Sequence, residues 1–303
     1  MTKFKFIIMK HFILLTLGLT LSIGIHAQTF SEKVAIESCN CLDSLETFKQ
    51  LEDNINNCIT KAMVLVSDMI SSKEMEFMNT VEGIQGVYRE VNEILPSYCY
   101  NVRRLIIEER EREFYKDSSF PTANNHYDKG NEFMDDGNYA EAAKEFKKAI
   151  KIDNKFVYAY DHLAISYRRQ DKYKEAIKYY QKSLNIFPEG NLALLNIAVA
   201  YSYLKDYNNS LKYYNSLIFL HQKSPEGYFG AGRMLFIMGD YEAALDNIFI
   251  AHLMYIETDS DYVKDSEQMI GIMYSELKGQ GKVDLFFEKA KKYNININID
   301  QAD

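Results

Sequence analysis

The strongest constraint on the fold is a tyrosine that returns every 34 residues, at Tyr139, Tyr173, Tyr207 and Tyr241. When each repeat is numbered from one, this tyrosine holds position 17, and the four repeats span residues 123–156, 157–190, 191–224 and 225–258. A degenerate fifth repeat, residues 264–297, follows an insertion of five residues and lacks the tyrosine. A period of this length predicts stacked copies of one supersecondary unit, each too small to form a core alone.

Small residues recur in the same frame. Positions 8, 20 and 27 hold glycine, alanine or serine in thirteen of fifteen cases, and the exceptions are Leu217 and Val283. Position 24 is large in every repeat, and the fifth repeat has Gly271 at position 8 and Phe287 at position 24. Because small side chains let two helices approach closely and large ones fill the space beside them, the pattern predicts a pair of packed helices in each repeat.

The small residues at positions 8, 20 and 27 and the large ones at positions 11, 17 and 24 resemble the tetratricopeptide repeat (TPR) family over residues 123–297. The resemblance implies that each repeat is a helix–turn–helix pair, with an A helix followed by a B helix. We therefore expect an all-α protein with a right-handed, TPR-type helical solenoid whose concave face is lined mainly by the A helices. A small cysteine-containing helical domain would precede the solenoid.

In that family, positions 2, 5, 9, 12 and 13 of the A helix face the concave groove. In this chain those positions are more apolar and aromatic than a solvated helix face, with a few arginines among the rings. Such a mixture suits a peptide or helix with apolar anchors and an acidic or carboxylate group, although some of these residues could simply pack between repeats. The expected groove-binding residues are Tyr127, Asn131, Tyr158, Asp161, Arg168, Leu195, Val199, Tyr203, Phe229, Arg233 and Phe236.

The segment before the repeats, residues 28–118, has apolar residues at the three- and four-residue spacing of amphipathic helices. One series runs from Leu51 to Met69, and a second runs from Val81 to Leu95 and stops at Pro96. The pattern predicts a bundle of three or four helices. A linker at residues 119–122 would connect it to the repeats, and a tail at residues 298–303 would follow them.

The N-terminal residues 1–27 have the layout of a secretory signal peptide: a basic start, an apolar stretch and a small residue, Ala27, before Gln28. The apolar stretch is short for a membrane span, so we expect cleavage and no membrane insertion afterwards; an uncleaved membrane anchor is the alternative. Translation could start at Met1 or at Met9. The expected location is periplasmic or extracellular, in a bacterial cell envelope or beyond it.

All four cysteines, Cys39, Cys41, Cys58 and Cys99, lie in residues 28–118. An even number of cysteines in an exported protein predicts disulfides. Cys39 and Cys41 are too close in sequence to bond each other without strain, so two pairings stay open: 39–58 with 41–99, or 39–99 with 41–58. A four-thiolate zinc site matches the spacing poorly, because zinc knuckles usually contain C-x-x-C pairs.

Charge excludes two classes of partner. Without residues 1–27, whose charged side chains are three lysines, the chain carries 32 basic and 43 acidic side chains and a net charge of −11. Nucleic acid requires a basic surface, and anionic lipid would repel this chain. We therefore expect neither as a partner.

No pattern in the sequence predicts catalysis. The glycine-rich stretch 227–232 follows no predicted strand and lies within an A helix, which argues against a phosphate-binding loop. The acidic stretch 259–265 lacks the glycine and glutamate of a calcium-binding loop, and the histidines form no metal-ligand pair. We expect no enzyme activity, no cofactor and no metal.

The sequence thus predicts an exported, non-enzymatic scaffold or adaptor that binds a protein or peptide in the groove of its solenoid. Two alternatives remain at this level. The protein could be a structural subunit of an envelope complex, or an enzyme or sensor whose site lies in the cysteine-containing domain.

Overall fold

The computed structural model describes residues 29–69, 75–76 and 79–295, apart from the side chain of Met69. The predicted signal peptide of residues 1–27 and the tail of residues 298–303 therefore lie outside the described residues. The chain divides into two compact units, Met1–Arg112 and Glu113–Asp303. Regular structure in the described part of the chain is entirely helical. None of the described helices is both long enough and apolar enough to cross a membrane.

The N-terminal unit is built from α1 (Phe30–Leu42), α2 (Phe48–Leu65), α3 (Val81–Tyr98) and most of α4 (Tyr100–Phe114), with a single 3-10 turn at Ser67–Met69. Threonines fix where the first three helices begin. Thr29, Thr47 and Thr80 each accept a hydrogen bond from a backbone N–H in the first turn, and the first two form full capping boxes with Glu32 and Gln50.

The core of this unit lies between α1, α2, α3 and the start of α4. Val34, Ile59, Val91 and Leu95 are completely buried, and Leu105 is 1% exposed. The apolar residues of the predicted helices therefore pack together in one shared core.

The C-terminal unit is a solenoid of five helix pairs within the described residues. The pairs are α5 (Pro121–Asp135) with α6 (Tyr139–Ile152), α7 (Val157–Arg168) with α8 (Tyr173–Ile186), α9 (Asn191–Tyr203) with α10 (Tyr207–Leu220), α11 (Pro225–Met238) with α12 (Tyr241–Glu257), and α13 (Val263–Gly279) with α14 (Val283–Lys292). The first four pairs are called repeats 1 to 4 below, and α13 with α14 is called the final pair.

The tyrosine at position 17 is the first residue of the B helix in every one of repeats 1 to 4. Two residues earlier, at position 15, the backbone adopts the left-handed conformation that reverses the chain between the two helices. Gly137 and Gly239 take it without a Cβ, whereas Asp171 (φ 58°) and Lys205 (φ 60°) take it with a side chain. A common turn therefore sets the same geometry in each repeat.

Close packing explains the small residues of repeats 1 to 4. A Cβ on Gly130 would lie 2.5 Å from a ring carbon of Phe146, and a Cβ on Gly232 would lie 2.7 Å from Ile248 Cγ1. Phe146, Tyr180 and Ile248, all at position 24, are completely buried. The A and B helices of a repeat thus meet where the small position 8 faces the large position 24.

The final pair does not follow this register. A Cβ on Gly271 would meet no atom within 4 Å among the described residues, and Phe287 is 38% exposed, whereas the neighbouring Phe286 is completely buried. The predicted packing roles of Gly271 and Phe287 are therefore wrong. The reason is helix length: α13 has 17 residues, against 12 to 15 in the A helices of repeats 1 to 4.

Candidate functional site

We use the term A-helix face for positions 2, 5, 9, 12 and 13 of α5, α7, α9 and α11, which include every groove-binding residue predicted from sequence. The structure gives these residues three different environments. In repeat 1 they pack against the next repeat, in repeat 2 they are partly covered by another segment of the chain, and in repeats 3 and 4 several stay exposed.

Tyr127 and Asn131 on α5 belong to the interface between repeats 1 and 2. The Tyr127 ring lies 5.0 Å from Phe156 and 5.1 Å from the ring of His162, centroid to centroid. His162 Nδ1 donates a hydrogen bond of 2.7 Å to Asn131 Oδ1. Burial raises the pKa of Tyr127 to about 12 and lowers the pKa of His162 to about 4, so both side chains are neutral near neutral pH.

Tyr158 and Asp161 on α7 are covered by Tyr115, which directly follows α4. The Tyr115 ring lies edge-on to Tyr158 at 5.0 Å and to Phe187 at 5.5 Å. Its hydroxyl donates a hydrogen bond of 2.7 Å to Asp161 Oδ2. The Phe114 ring stacks on the Phe187 ring, with the two centroids 5.3 Å apart.

Asp161 is completely buried, so we do not assign it to an open groove as the sequence suggested. The Ser183 hydroxyl also interacts with this carboxyl and, like the Tyr115 hydroxyl, favours its charged form. Burial raises the pKa of Asp161 to about 6, because removal from water disfavours the charged carboxylate. This carboxyl therefore acts as the hydrogen-bond acceptor of an internal contact.

The same segment continues onto repeat 1 through Ser118. Ser118 N–H donates to Asn124 Oδ1 at 2.9 Å, and Asn124 Nδ2 donates back to the Ser118 carbonyl at 2.9 Å. The Ser118 hydroxyl donates to Asp153 Oδ2 at 2.5 Å. We call residues 114–118 the strap; it runs from repeat 2 to repeat 1, opposite to the order of the repeats.

Arg168, at position 12 of repeat 2, is half-buried. Its Nε is buried, and no described residue accepts a hydrogen bond from it. Part of this guanidinium is therefore withdrawn from the surface on which the sequence placed it.

The A-helix face of repeat 3 is open only in part, because Leu195 and Val199 pack against the core beside Tyr214. Leu195 and Val199 on α9 are half-buried, and Tyr203 at the end of the helix is 59% exposed. The Tyr203 ring stacks on Tyr173 of repeat 2 with centroids 4.9 Å apart, which fixes its orientation while one surface stays accessible.

Repeat 4 places an arginine above an aromatic ring. The guanidinium carbon of Arg233, an exposed residue of α11, lies 5.9 Å from the centre of the Phe229 ring. Phe229 and Phe236 are half-buried, and Phe236 packs edge-on against Tyr241 at 5.6 Å. Repeats 3 and 4 therefore combine apolar surface with an accessible positive charge.

Sequence reasoning missed the strap. The charged stretch at residues 108–117 predicted a solvated helix end rather than a binding site, yet Phe114 and Tyr115 within it pack against repeat 2. Two adjacent aromatic residues within such a stretch were the available signal, because aromatic side chains are seldom left in water at the end of a charged helix. The partners of these two rings lie in repeat 2, far along the chain, and have no periodic relation to them: Tyr158, Asp161 and Phe187.

The cysteines pair in one of the two arrangements left open by the sequence. Cys39 bonds to Cys99 with Cα atoms 5.3 Å apart, and Cys41 bonds to Cys58 with Cα atoms 5.7 Å apart. Possible ligand atoms of Cys39, Asp43 and Cys99 lie within 4.8 Å of one another. Because the two sulfurs are bonded to each other, they are not the thiolates that a zinc site needs.

Comparison with known families identifies the repeats. A family model described as tetratricopeptide repeat matches residues 155–220, and another described as TPR repeat matches residues 130–171. Residues 130–220 therefore match tetratricopeptide repeats. The resemblance inferred from sequence is thus confirmed over these residues. No curated protein matches the sequence.

Solved structures are similar to this chain over more than half of its length. MamA from Desulfovibrio magneticus RS-1 is 14% identical with a TM-score of 0.50, over 58% of this chain and 95% of that chain. Another MamA structure is 20% identical with a TM-score of 0.47, over 57% of this chain and 90% of that chain. A tetratricopeptide repeat protein from Parabacteroides merdae is 20% identical with a TM-score of 0.42, over 57% and 77%. At 14% identity, the likeness to the first shows the fold alone.

Proposed function

We propose that the protein is a non-enzymatic scaffold and that the A-helix face of repeats 3 and 4 binds a segment of a partner protein. One observation carries the proposal: large apolar side chains stay exposed on this face, with Tyr203 at 59% and Ile237 at 49%. At positions 2 and 5 of repeat 2, by contrast, Tyr158 and Asp161 lie under Tyr115 of the strap. Exposed apolar surface beside polar groups is typical of protein-binding sites.

The chemistry of the face defines the partner segment. Leu195, Val199 and Tyr203 offer apolar contact, and Arg233 offers an accessible guanidinium held over Phe229. A carboxylate of the partner would pair with Arg233, and one or two apolar side chains would lie against α9. The bound segment is therefore an acidic peptide or helix with apolar anchors.

Export is also part of the proposal. It is supported by the signal-peptide layout of residues 1–27 and by two cysteine pairs within bonding distance, since disulfides persist in oxidising compartments. The mature chain, with a net charge of −11, would work in the periplasm or outside the cell. Nucleic acid and anionic lipid stay excluded as partners by that charge.

The test compares wild type with the double variant Tyr203→Ala/Arg233→Ala. Tagged protein is recovered from the cell-envelope fraction, its captured partner is identified, and the Kd of the purified pair is measured by calorimetry. We expect the double variant to bind at least about tenfold more weakly, because aromatic and arginine residues at the centre of an interface each contribute on the order of 1–2 kcal/mol. N-terminal sequencing of the same preparation should begin at Gln28.

The matched control is Arg89→Ala, which removes an exposed arginine from α3, outside the repeats. It should bind with the wild-type Kd. Equal Kd values for wild type and a folded double variant would show that the partner binds elsewhere, and a chain that begins at Met1 or Met9 would contradict cleavage of the signal peptide.

A further inference from the structure

We infer that the A-helix face of repeats 1 and 2 is a second peptide site, which the chain fills with its own strap. Its ligand is a segment in which phenylalanine and tyrosine are followed, after two residues, by serine. The inference depends only on repeats 1 and 2, so it stands or falls independently of the function proposed for repeats 3 and 4.

Asn124 recognises the backbone of the strap. Its side-chain amide accepts from the N–H and donates to the carbonyl of the same residue, Ser118, at 2.9 Å each. Ser118 lies outside any helix, so both of its backbone groups are open to such pairing. One amide that satisfies both polar groups of a residue binds an extended chain whatever its sequence, as in other modes of peptide recognition through main-chain hydrogen bonds.

Asp161 and its neighbours recognise the side chain of Tyr115. The ring fits between Tyr158 and Phe187, and Gly190 leaves it room, because a Cβ there would lie 3.0 Å from the Tyr115 hydroxyl. The hydroxyl satisfies a carboxyl that is itself completely buried. A phenylalanine in the same place would remove one of the two hydroxyls, those of Ser183 and Tyr115, that favour the charged form of this carboxyl, so the site favours tyrosine.

The residues between these anchors contribute little to recognition. Lys116 and Asp117 are exposed, while Ser118 is buried and donates its hydroxyl to Asp153. The site therefore recognises two adjacent aromatic residues and, after two positions that accept any residue, a small residue with a hydroxyl group. Repeat 3 does not reproduce it, since its residues at the positions of Tyr158, Asp161 and Phe187 are Leu192, Leu195 and His221.

Covalent attachment gives the strap an advantage over any free ligand. Only residues 119 and 120 separate it from α5, and a short tether corresponds to an effective concentration in the millimolar range or higher. A free segment of the same chemistry therefore binds only to the fraction of molecules in which the strap has left, and its apparent Kd rises accordingly.

The experiment uses a fluorescent peptide of residues 112–119, REFYKDSS, and the full chain with Tyr115→Ala/Ser118→Ala. The peptide should bind this variant with an apparent Kd at least about tenfold lower than it has for wild type, whose site is occupied. A peptide with phenylalanine in place of the tyrosine, REFFKDSS, should bind the variant at least about tenfold more weakly than REFYKDSS. A folded variant that binds no better than wild type, or that binds both peptides equally, would overturn the inference.

A measurement on wild type decides the matter if the variant does not fold. Hydrogen exchange of the Ser118 amide, which donates to Asn124, is followed with and without a millimolar excess of REFYKDSS. Displacement of the strap should speed this exchange, and a scrambled peptide should leave it unchanged. Unchanged exchange with REFYKDSS would show that the strap is a permanent part of the fold and would equally overturn the inference.

Discussion

Repeats 1 to 4 and the final pair contain the same kinds of residue but pack them differently. In the repeats, a small residue at position 8 faces a large one at position 24, as Gly232 faces Ile248. In the final pair, no described atom lies within 4 Å of a Cβ placed on Gly271, and Phe286 is buried while Phe287 is 38% exposed. The period therefore predicts packing only while helix length stays constant.

The final pair replaces the lost regularity with other contacts. Phe286 packs on Phe249 of α12 and on Tyr274 of α13, with centroids 5.8 and 5.2 Å away. Lys289, 6% exposed, donates 2.8 Å hydrogen bonds to Glu242 and Asp246, which lie on α12. These contacts hold α14 to repeat 4 without the small-to-large pairing of the repeats.

The largest expected effect separates the two adjacent phenylalanines. Phe286→Ala should destabilise the C-terminal unit by about 3–5 kcal/mol, since it removes a completely buried ring. Phe287→Ala, at a 38% exposed position, should lower the free energy of unfolding by less than about 1 kcal/mol. Urea unfolding followed by circular dichroism measures both, and a reversed order would restore the register expected from the period.

A glycine pair gives the next effect, with opposite signs. Gly232→Ala should destabilise by about 1–3 kcal/mol, because its Cβ would lie 2.7 Å from Ile248 Cγ1 in a packed interface. Gly271→Ala should stabilise by up to about 1 kcal/mol, because its Cβ meets no described atom within 4 Å and alanine favours helix. Thermal unfolding of the two variants provides the check; destabilisation by both would mean that α13 packs like the other A helices.

The smallest effect concerns pH at the interface of repeats 1 and 2. The pKa of His162 is about 4 in the folded chain, below its ordinary 6.5, so the unfolded chain takes up the proton first and acid weakens folding below pH 6.5. The pKa of Asp161 is about 6, above its ordinary 3.8, so the folded chain holds a proton that the unfolded chain releases, and acid strengthens folding between these values.

The two effects oppose each other in wild type between pH 7 and pH 5. Asp161→Asn removes the favourable one, so its loss of stability over that range should exceed the wild-type loss by about 1 kcal/mol. Urea unfolding at both pH values measures the difference. Equal pH dependence in the two proteins would contradict the opposing contributions. Burial also lowers the pKa of His252, which lies on α12 and contacts Ser266 of α13. This histidine should add equally to the acid sensitivity of wild type and of Asp161→Asn.

The sequence was sufficient for features that repeat along the chain. The turn tyrosines, the buried residues at position 24 and the close approach at Gly130 follow from local sequence, because each repeat meets its neighbour in the same way. The spacing of apolar residues likewise predicted α2 and α3, although α3 continues past Pro96 to Tyr98 and no series predicted α1. Capping threonines, such as Thr47 before α2, lie where these helices begin.

Contacts that occur only once and join segments far apart in the chain could not be predicted from the sequence. The bond from Tyr115 to Asp161 links residues 46 apart, and no periodic pattern connects them. The sequence placed Asp161 on a face, but whether that face is open depends on what lies above it. The exposed surface of Tyr203 and the covered surface of Asp161 differ for this reason, although both belong to the same set of positions.

The two disulfides of the N-terminal unit have a consequence for oxidative folding. Cys39 and Cys41 lie two residues apart on α1, so their side chains leave the helix about 200° apart and each reaches a different neighbour. The alternative pairing would close loops of almost the same lengths, so chain entropy hardly distinguishes the two. It would, however, require α1 to turn about its own axis and bring Val34 and Leu42 out of the core. The observed connectivity therefore forms only when α1 has its native orientation in the bundle as its cysteines are oxidised.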